Sequence, residues 1–252
     1  MEPSRLTNLC NLLPKLTAGQ FEWIENIIKC LSAPFEYERN AASDIVTEEF
    51  LAAFGDNLRI HHALSKQAFG KDRFEYALEE ILSIGGVPAK LAKRGNPGHD
   101  ITIRDVPVSL KTQSDMTIKN DEIHISKFHE LGKGKWGSEV KDLEGLRDRF
   151  FSHMQSYERI FTLRTLSQYP SPWIYELVEI PKSLLLKAKD GTLEMMMGSR
   201  QNPKPGYCHV KDTNGKLLFQ LYFDGGTERK LQIKHLLKSE CIVHGQWKFA
   251  SA

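Results

Sequence analysis

Apolar residues recur at helical intervals through the first third of the chain and at strand intervals through much of the rest. In LTAGQFEWIENIIKCL, Phe21, Ile24, Ile27, Ile28 and Leu31 form one helical stripe, and SDIVTEEFLAAF predicts a second helix with Ser43 as its candidate cap. Residues 66–84 predict a third, with Phe74, Ala77, Leu78, Ile81 and Leu82 on one side and Gly85-Gly86 as its stop. The period then falls to two. Ile101 and Ile103 alternate with polar neighbours, as do Val106, Val108 and Leu110 after a turn near Asp105, which is the pattern of a hairpin. EIHISKF, RIFTLRTL and WIYELVEI predict further strands, with an amphipathic helix over residues 143–157 between the first two. PKSLLLKA predicts a short helix with Pro181 at its start, residues 207–210 and 217–223 predict strands, ERKLQIKHL reads as a helix, and CIVHGQWKF closes as a strand. The order is mixed α/β, without internal repeats or a long linker. It predicts a helical N-terminal region over residues 1–64 and a larger unit over residues 65–252, joined as one compact body.

A chain of 252 residues, 40% hydrophobic and 26% charged, can bury a substantial core. No apolar run approaches the length of a membrane span, and MEPSRLTNLCNLL lacks the order of a signal peptide, so the expected location is the cytoplasm. Cys10, Cys30, Cys208 and Cys241 are scattered, which predicts reduced thiols rather than a disulfide framework or a zinc knuckle. The net charge of +2 conceals an asymmetry: residues 181–252 carry 12 Lys and Arg against 6 Asp and Glu, whereas the first 180 carry 22 against 26. An anionic partner would sit best against the last quarter of the chain.

The chemistry concentrates in GNPGHDITIRDVPVSLKTQ, residues 95–113. Asp100 opens one short apolar run and Lys111 lies inside the next, although charges beside a core are costly. Strand alternation puts Ser109 and Lys111 on one face and Leu110 on the other, so a hairpin can bring Asp100 and Lys111 to the same sheet edge. A carboxylate and an ammonium held there can bind Mg²⁺ and polarise a water beside a phosphate. The same spacing also occurs as an ion pair on an ordinary hairpin. Here, however, Pro97-Gly98-His99 leads into the Asp, and a helix bearing Glu75 on FEYALEE comes just before. His99 is placed either to assist proton transfer or simply to hydrogen-bond within its turn. LGKGKWG lacks the spacing of a P-loop, and the remaining histidines show no metal-ligand spacing.

This order of helix, strand, strand, strand resembles the PD-(D/E)xK nuclease superfamily. The resemblance implies a restriction-endonuclease-like core, a mixed central sheet flanked by helices. It implies that Asp100 binds the metal, that Lys111 orients or deprotonates the attacking water, that the Leu110 backbone carbonyl is a metal ligand, and that Glu75 is a further carboxylate near the metal. The chain departs from the pattern two residues before the lysine, where Ser109 stands in place of an acid and cannot supply a carboxylate's charge. Glu75 is the first candidate to replace it, then Glu122 and Glu130. Gln113, on the face of Lys111, is placed to orient water or phosphate. The blocks NPGHDITI, ELGKGKW, YERIFTLR, LVEIPKSLLL, PKPGY, FDGG, ERKLQIKHL and CIVHG, with GDNLRIHH nearer the N-terminus, are similar to those of type II restriction endonucleases that cut at CCCGGG. That implies an Mg²⁺-dependent homodimer acting on palindromic double-stranded DNA, with a cognate DNA methyltransferase as functional partner and no membrane association.

A palindrome suits a two-fold dimer because each subunit reads one half-site with the same side chains. Arg200 and Arg229 are candidates for bidentate contacts to guanine, Gln201 and Asn202 for neighbouring base edges, and Lys204, Lys230 and Lys234 for phosphates. The alternative for each is an ordinary solvated loop or helix face. Two rival functions remain: a structure-specific repair or recombination nuclease on the same fold, and a DNA-binding protein that Ser109 has deprived of metal competence.

Overall fold

A computed structural model describes residues 2–250 except 94, 96, 97, 116, 133–135, 169 and 171; Pro97 and the centre of the LGKGKWG loop therefore lie outside the described residues. The chain opens with α1 (Pro3–Leu12) and α2 (Ala18–Ser32), neither of which buries a residue. Thr17 and Gln20 close a capping box at the start of α2, each side chain accepting the other's backbone N–H at 3.3 and 2.9 Å. An edge strand, β1 (Phe35–Arg39), follows; its largely exposed FEYER sequence gives no apolar alternation from which to predict it. The next helix, α3 (Glu48–Leu64), is capped by Thr47, whose Oγ1 accepts from the Phe50 N–H at 3.1 Å. Ser43 is not its cap: that hydroxyl accepts from the Val46 N–H and meets His244 Nδ1 at 2.8 Å. The following helix, α4 (Lys71–Ile84), begins five residues later than its periodicity predicts. Buried Phe69 donates its N–H to Tyr175 Oη at 3.0 Å, which holds the chain outside the helix up to that point.

Three strands then succeed one another, β2 (Ala89–Leu91), β3 (Ile101–Ile103) and β4 (Val106–Gln113), before β5 (Glu122–Glu130) and α5 (Val140–Met154). Two long strands, β6 (Arg159–Ser167) and β7 (Trp173–Glu179), precede the short α6 (Lys182–Leu186), and Pro181 stands just before that helix. The chain finishes with β8 (Thr192–Met195), β9 (Gly206–Lys211), β10 (Leu217–Phe223), β11 (Lys230–Leu237) and β12 (Ile242–Phe249). A seven-stranded sheet runs β1-β12-β7-β6-β4-β3-β2, mixed through the parallel pairing of β4 with β6, and a five-stranded antiparallel sheet runs β5-β11-β10-β9-β8.

The expected helix at ERKLQIKHL is instead β11, hydrogen-bonded between β5 and β10. Leu231, Ile233 and Leu236 are fully buried, and the left-handed backbone of His235 (φ 52°) shifts the alternation by one, which gives the apolar spacing a helical look.

Each face of the seven-stranded sheet has its own core. On one, Phe54 and Leu58 of α3 and Phe74 and Leu78 of α4 pack with Leu110, Phe161, Leu163 and Trp247. On the other, Ile160 and Val178 pack with Leu143 and Phe150 of α5 and with Ile125, Leu221 and Ile233 of the second sheet. Each such side chain contributes about 1.5–3 kcal/mol by leaving water. The mixed sheet flanked by helices is the core architecture the sequence predicts, with α4, β2, β3 and β4 in the expected order. Alternation along β4 turns Leu110 toward the first core and leaves Ser109 and Lys111 facing the second layer. Among the described residues, no helix is long and apolar enough to cross a membrane.

Candidate active site

The hairpin sets the geometry. Arg104 and Asp105 both have positive φ (48° and 63°), as a two-residue turn matched to strand twist requires, and the resulting register pairs Ile101 with Val108. Asp100, one residue before β3, donates its N–H to the Val108 carbonyl at 2.9 Å and turns its carboxylate toward the next two residues of β4. Asp100 Oδ2 accepts from the Leu110 N–H at 2.6 Å and from Ser109 Oγ at 3.2 Å. Lys111 Nζ donates to that same Ser109 oxygen at 2.9 Å and lies 5.4 Å from the centre of the Phe128 ring. The hydroxyl thus bridges the two charged groups.

The other carboxylate comes from α4. Lys71 and Glu75 are one helical turn apart and pair at 3.2 Å, and Lys71 Nζ also reaches Asp100 Oδ1 at 2.8 Å. One turn further on, Glu79 accepts the Leu91 N–H at 2.7 Å and ties the helix to β2. Asp100 and Glu75 therefore converge on a single cation centre. The Leu110 carbonyl lies on the same strand edge as its N–H, which already points to Asp100. This donor set fits a hard cation that keeps several waters. Among the described residues, no group of three or more His, Cys, Asp or Glu could hold a metal, so any ion here would complete its shell with water and phosphate.

Burial perturbs every charge in the cluster. Desolvation pulls the Lys111 ammonium down to about 8 against the opposing pull of Asp100, with Lys71 adding to the fall. Burial works to raise Asp100, but Lys111 and Lys71 outweigh it and hold the carboxyl below its usual range. Glu75 is pushed up by burial, which Lys71 only partly offsets. Behind Lys111 stand three groups without a sequence signal: His129 and His153, stacked at 4.7 Å, and Tyr157. His153 is depressed to about 4 by burial, then by His129 and Lys111. Tyr157 is raised by burial and then by the Asp100 charge. Lys71 did carry a signal, its four-residue spacing from Glu75, but a lysine beside a proposed metal ligand invites no chemical reading from sequence.

Other predicted groups are engaged elsewhere. Gln113 Oε1 accepts from Arg164 Nε at 2.8 Å; Glu122 binds Lys119 and His235; Glu130 binds Lys127. His99 Nε2 meets Thr102 Oγ1 of the adjoining β3 at 3.2 Å.

Gln201, Asn202 and Arg229 line a cavity of about 620 Å³ with Glu130, Gly132 and the FDGG turn. Gly225 allows that turn to approach, since a Cβ there would collide with the Pro203 carbonyl. Asp224 orders the wall: its carboxylate accepts from Gln201 Nε2 at 3.2 Å and Gln232 Nε2 at 3.1 Å, and His124 meets Gln232 Oε1 at 3.3 Å. Gln201 Oε1 is buried without a hydrogen-bond partner among the described residues. Arg200 is exposed, Lys204 donates to the Ser199 carbonyl, Lys230 pairs with Glu228, and Lys234 sits 3.8 Å above the Tyr222 ring. Glu130 lies two residues beyond Phe128 on β5, so this cavity and the Lys111 site adjoin the same strand end.

Comparison with known proteins adds the family. Residues 9–249 match the family described as SmaI, type II site-specific deoxyribonuclease. The type II restriction enzyme SmaI of Serratia marcescens is 50% identical over 250 residues, covering 98% of each chain. No solved structure matches the chain.

Proposed function

Because the chain belongs to the SmaI family of type II site-specific deoxyribonucleases, we propose that it hydrolyses double-stranded DNA at a palindromic G·C-rich site, CCCGGG, with Mg²⁺ as cofactor. The observation that carries this reading is the convergence of Asp100, Ser109 and Lys111 at the β3–β4 hairpin, with Glu75 of α4 joined to Asp100 through Lys71. Asp100, Glu75 and the Leu110 carbonyl are the groups that would hold the metal, which supplies charge stabilisation for the phosphoryl oxygens when bound. Lys111 Nζ, oriented by Ser109, positions the attacking water for in-line attack. Asp100 holds Lys111 in place by charge and through the Ser109 hydroxyl. The products carry 5′-phosphate and 3′-hydroxyl ends.

For recognition, Gln201 and Asn202 meet base edges, the unpaired Gln201 Oε1 being an acceptor for a base amino group. Arg200 and Arg229 read guanines, and Lys204, Lys230 and Lys234 bind phosphates. The enzyme works in the cytoplasm as a homodimer, one subunit per half-site, beside a DNA methyltransferase that shares the site without touching it. Residues 1–64 supply the dimer or DNA-clasping element: α1 and α2 leave Leu6, Leu9, Leu12, Phe21, Trp23 and Ile28 exposed in the single chain. The larger unit, residues 65–252, carries catalysis and recognition.

The test is incubation with duplex DNA carrying one CCCGGG, with Mg²⁺ or with EDTA, followed by end mapping. Cutting at that site with Mg²⁺ alone is expected. Cutting at another sequence rejects the site assignment, and cutting in EDTA rejects the metal.

A further inference from the structure

Lys71 occupies the point where the two proposed metal ligands meet, with its Nζ 2.8 Å from Asp100 Oδ1 and 3.2 Å from Glu75 Oε1. The inner cluster is therefore electrically balanced by its own side chains: Asp100 and Glu75 against Lys71 and Lys111. An ammonium at that position excludes a divalent ion in two ways. It fills the space between the same oxygens, and a charge of +1 within a few ångströms of +2 is strongly repelled where water is scarce.

The lysine is nonetheless free to leave. Its side chain is 40% exposed, it stands on the first residue of α4, and its long stem can carry the charge out to solvent. Lys111 has no such freedom at 8% exposure. Were a divalent ion to replace Lys71, the cluster would hold one excess positive charge, which a single phosphodiester of DNA would neutralise.

We propose that Lys71 is an internal counter-cation of the metal site: its ammonium holds Asp100 and Glu75 together in the metal-free protein and must swing out toward a DNA phosphate before a divalent ion is bound. This rests on the assignment of Asp100 and Glu75 as metal ligands. Lys71 is a positioning residue here, and its effect is to make tight metal binding conditional on substrate.

The experiment titrates the full-length, DNA-free protein with Mn²⁺ and reads free Mn²⁺ by electron paramagnetic resonance, for wild type, Lys71→Gln, Lys71→Met and Asp100→Asn. Removing the competing charge should tighten Mn²⁺ binding by about tenfold or more in either Lys71 variant. A merely structural role would loosen it. Asp100→Asn should lose binding. If Asp100→Asn binds Mn²⁺ as well as wild type, the ligand assignment fails and takes this inference with it. If Asp100→Asn loses binding while both Lys71 variants bind no tighter than wild type, the counter-cation role alone is overturned.

Discussion

Lys111 and Gln113 lie two residues apart on one face of β4 and belong to two buried charge networks of very different completeness. Gln113 joins the network of Arg164, which is fully buried on the neighbouring β6. Arg164 Nε donates to Gln113 at 2.8 Å, Nη1 binds Glu176 closely, and Nη2 reaches the Lys119 and Glu122 carbonyls at 2.6 and 2.7 Å. The second oxygen of Glu176 takes Lys238 at 3.1 Å. Each nitrogen of that guanidinium has a partner. Lys111 has three protons to donate and, among the described residues, gives one to Ser109. The fuller network serves to lock β4, β6 and β7 to the turn before β5. The sparser one leaves a buried ammonium with its charge destabilised beside Asp100 and the half-exposed Lys71, which is the condition of a group awaiting a reactant.

The largest separation between the two should come from Lys111→Met, which is expected to slow cleavage roughly a thousandfold or more while leaving specific DNA binding measurable. Normal cutting by this variant would remove Lys111 from catalysis. The same change should raise thermal stability at pH 7, because it removes an ammonium whose burial is penalised. The sign follows from the depressed value: between about 8 and 10.5 the unfolded chain holds the proton and the folded chain does not, so wild type gains stability as pH rises through that window. The advantage of Lys111→Met over wild type should therefore shrink from pH 8 to pH 10 in denaturation curves.

Arg164→Met tests the other side. It leaves Glu176 in the core with Lys238 as its cation and should cost about 3 kcal/mol of stability in urea unfolding, with cleavage per folded molecule largely kept. A variant that is stable but inactive would move this network into the chemistry. Ser109→Ala removes the bridge without touching either charge, and a fall in turnover of about tenfold is expected with a loss of about 1–3 kcal/mol of stability, because the buried Lys111 ammonium loses its acceptor. Turnover unchanged from wild type would mean that Lys111 needs no such orientation. The smallest effect is expected from Lys238→Ala, about 1 kcal/mol of stability and no change in turnover, since Glu176 keeps Arg164.

Much of this molecule is written in local pattern. Strand alternation around Ile101, Val108 and Leu110 and the helical stripe from Phe74 to Leu82 depend only on which side chains must leave water, and both are present as read. Asp100, Lys111 and Glu75 could be nominated from sequence because the hairpin that joins the first two is short, and the helix bearing the third runs directly into it. Patterns that serve two geometries failed: the apolar spacing of β11 fits a helix until His235 takes a left-handed conformation between two neighbouring strands. The exposed β1 became a strand only because β12 offered it an edge 206 or more residues away in sequence, with Arg39 paired to Gly245 and Tyr37 to Trp247.

What the sequence by itself determined is the mixed α/β core and the charged residues of the hairpin, since both follow from hydrophobic periodicity and short-range chain geometry. The packing of helix, sheet and second sheet decided which charges are met and which are left wanting. It brought Lys71 between two carboxylates, gave Gln113 to Arg164, and stacked His129 and His153 behind Lys111. A residue's type states what it can donate or accept, but its pKa and its partners are set by whatever distant segments arrive beside it.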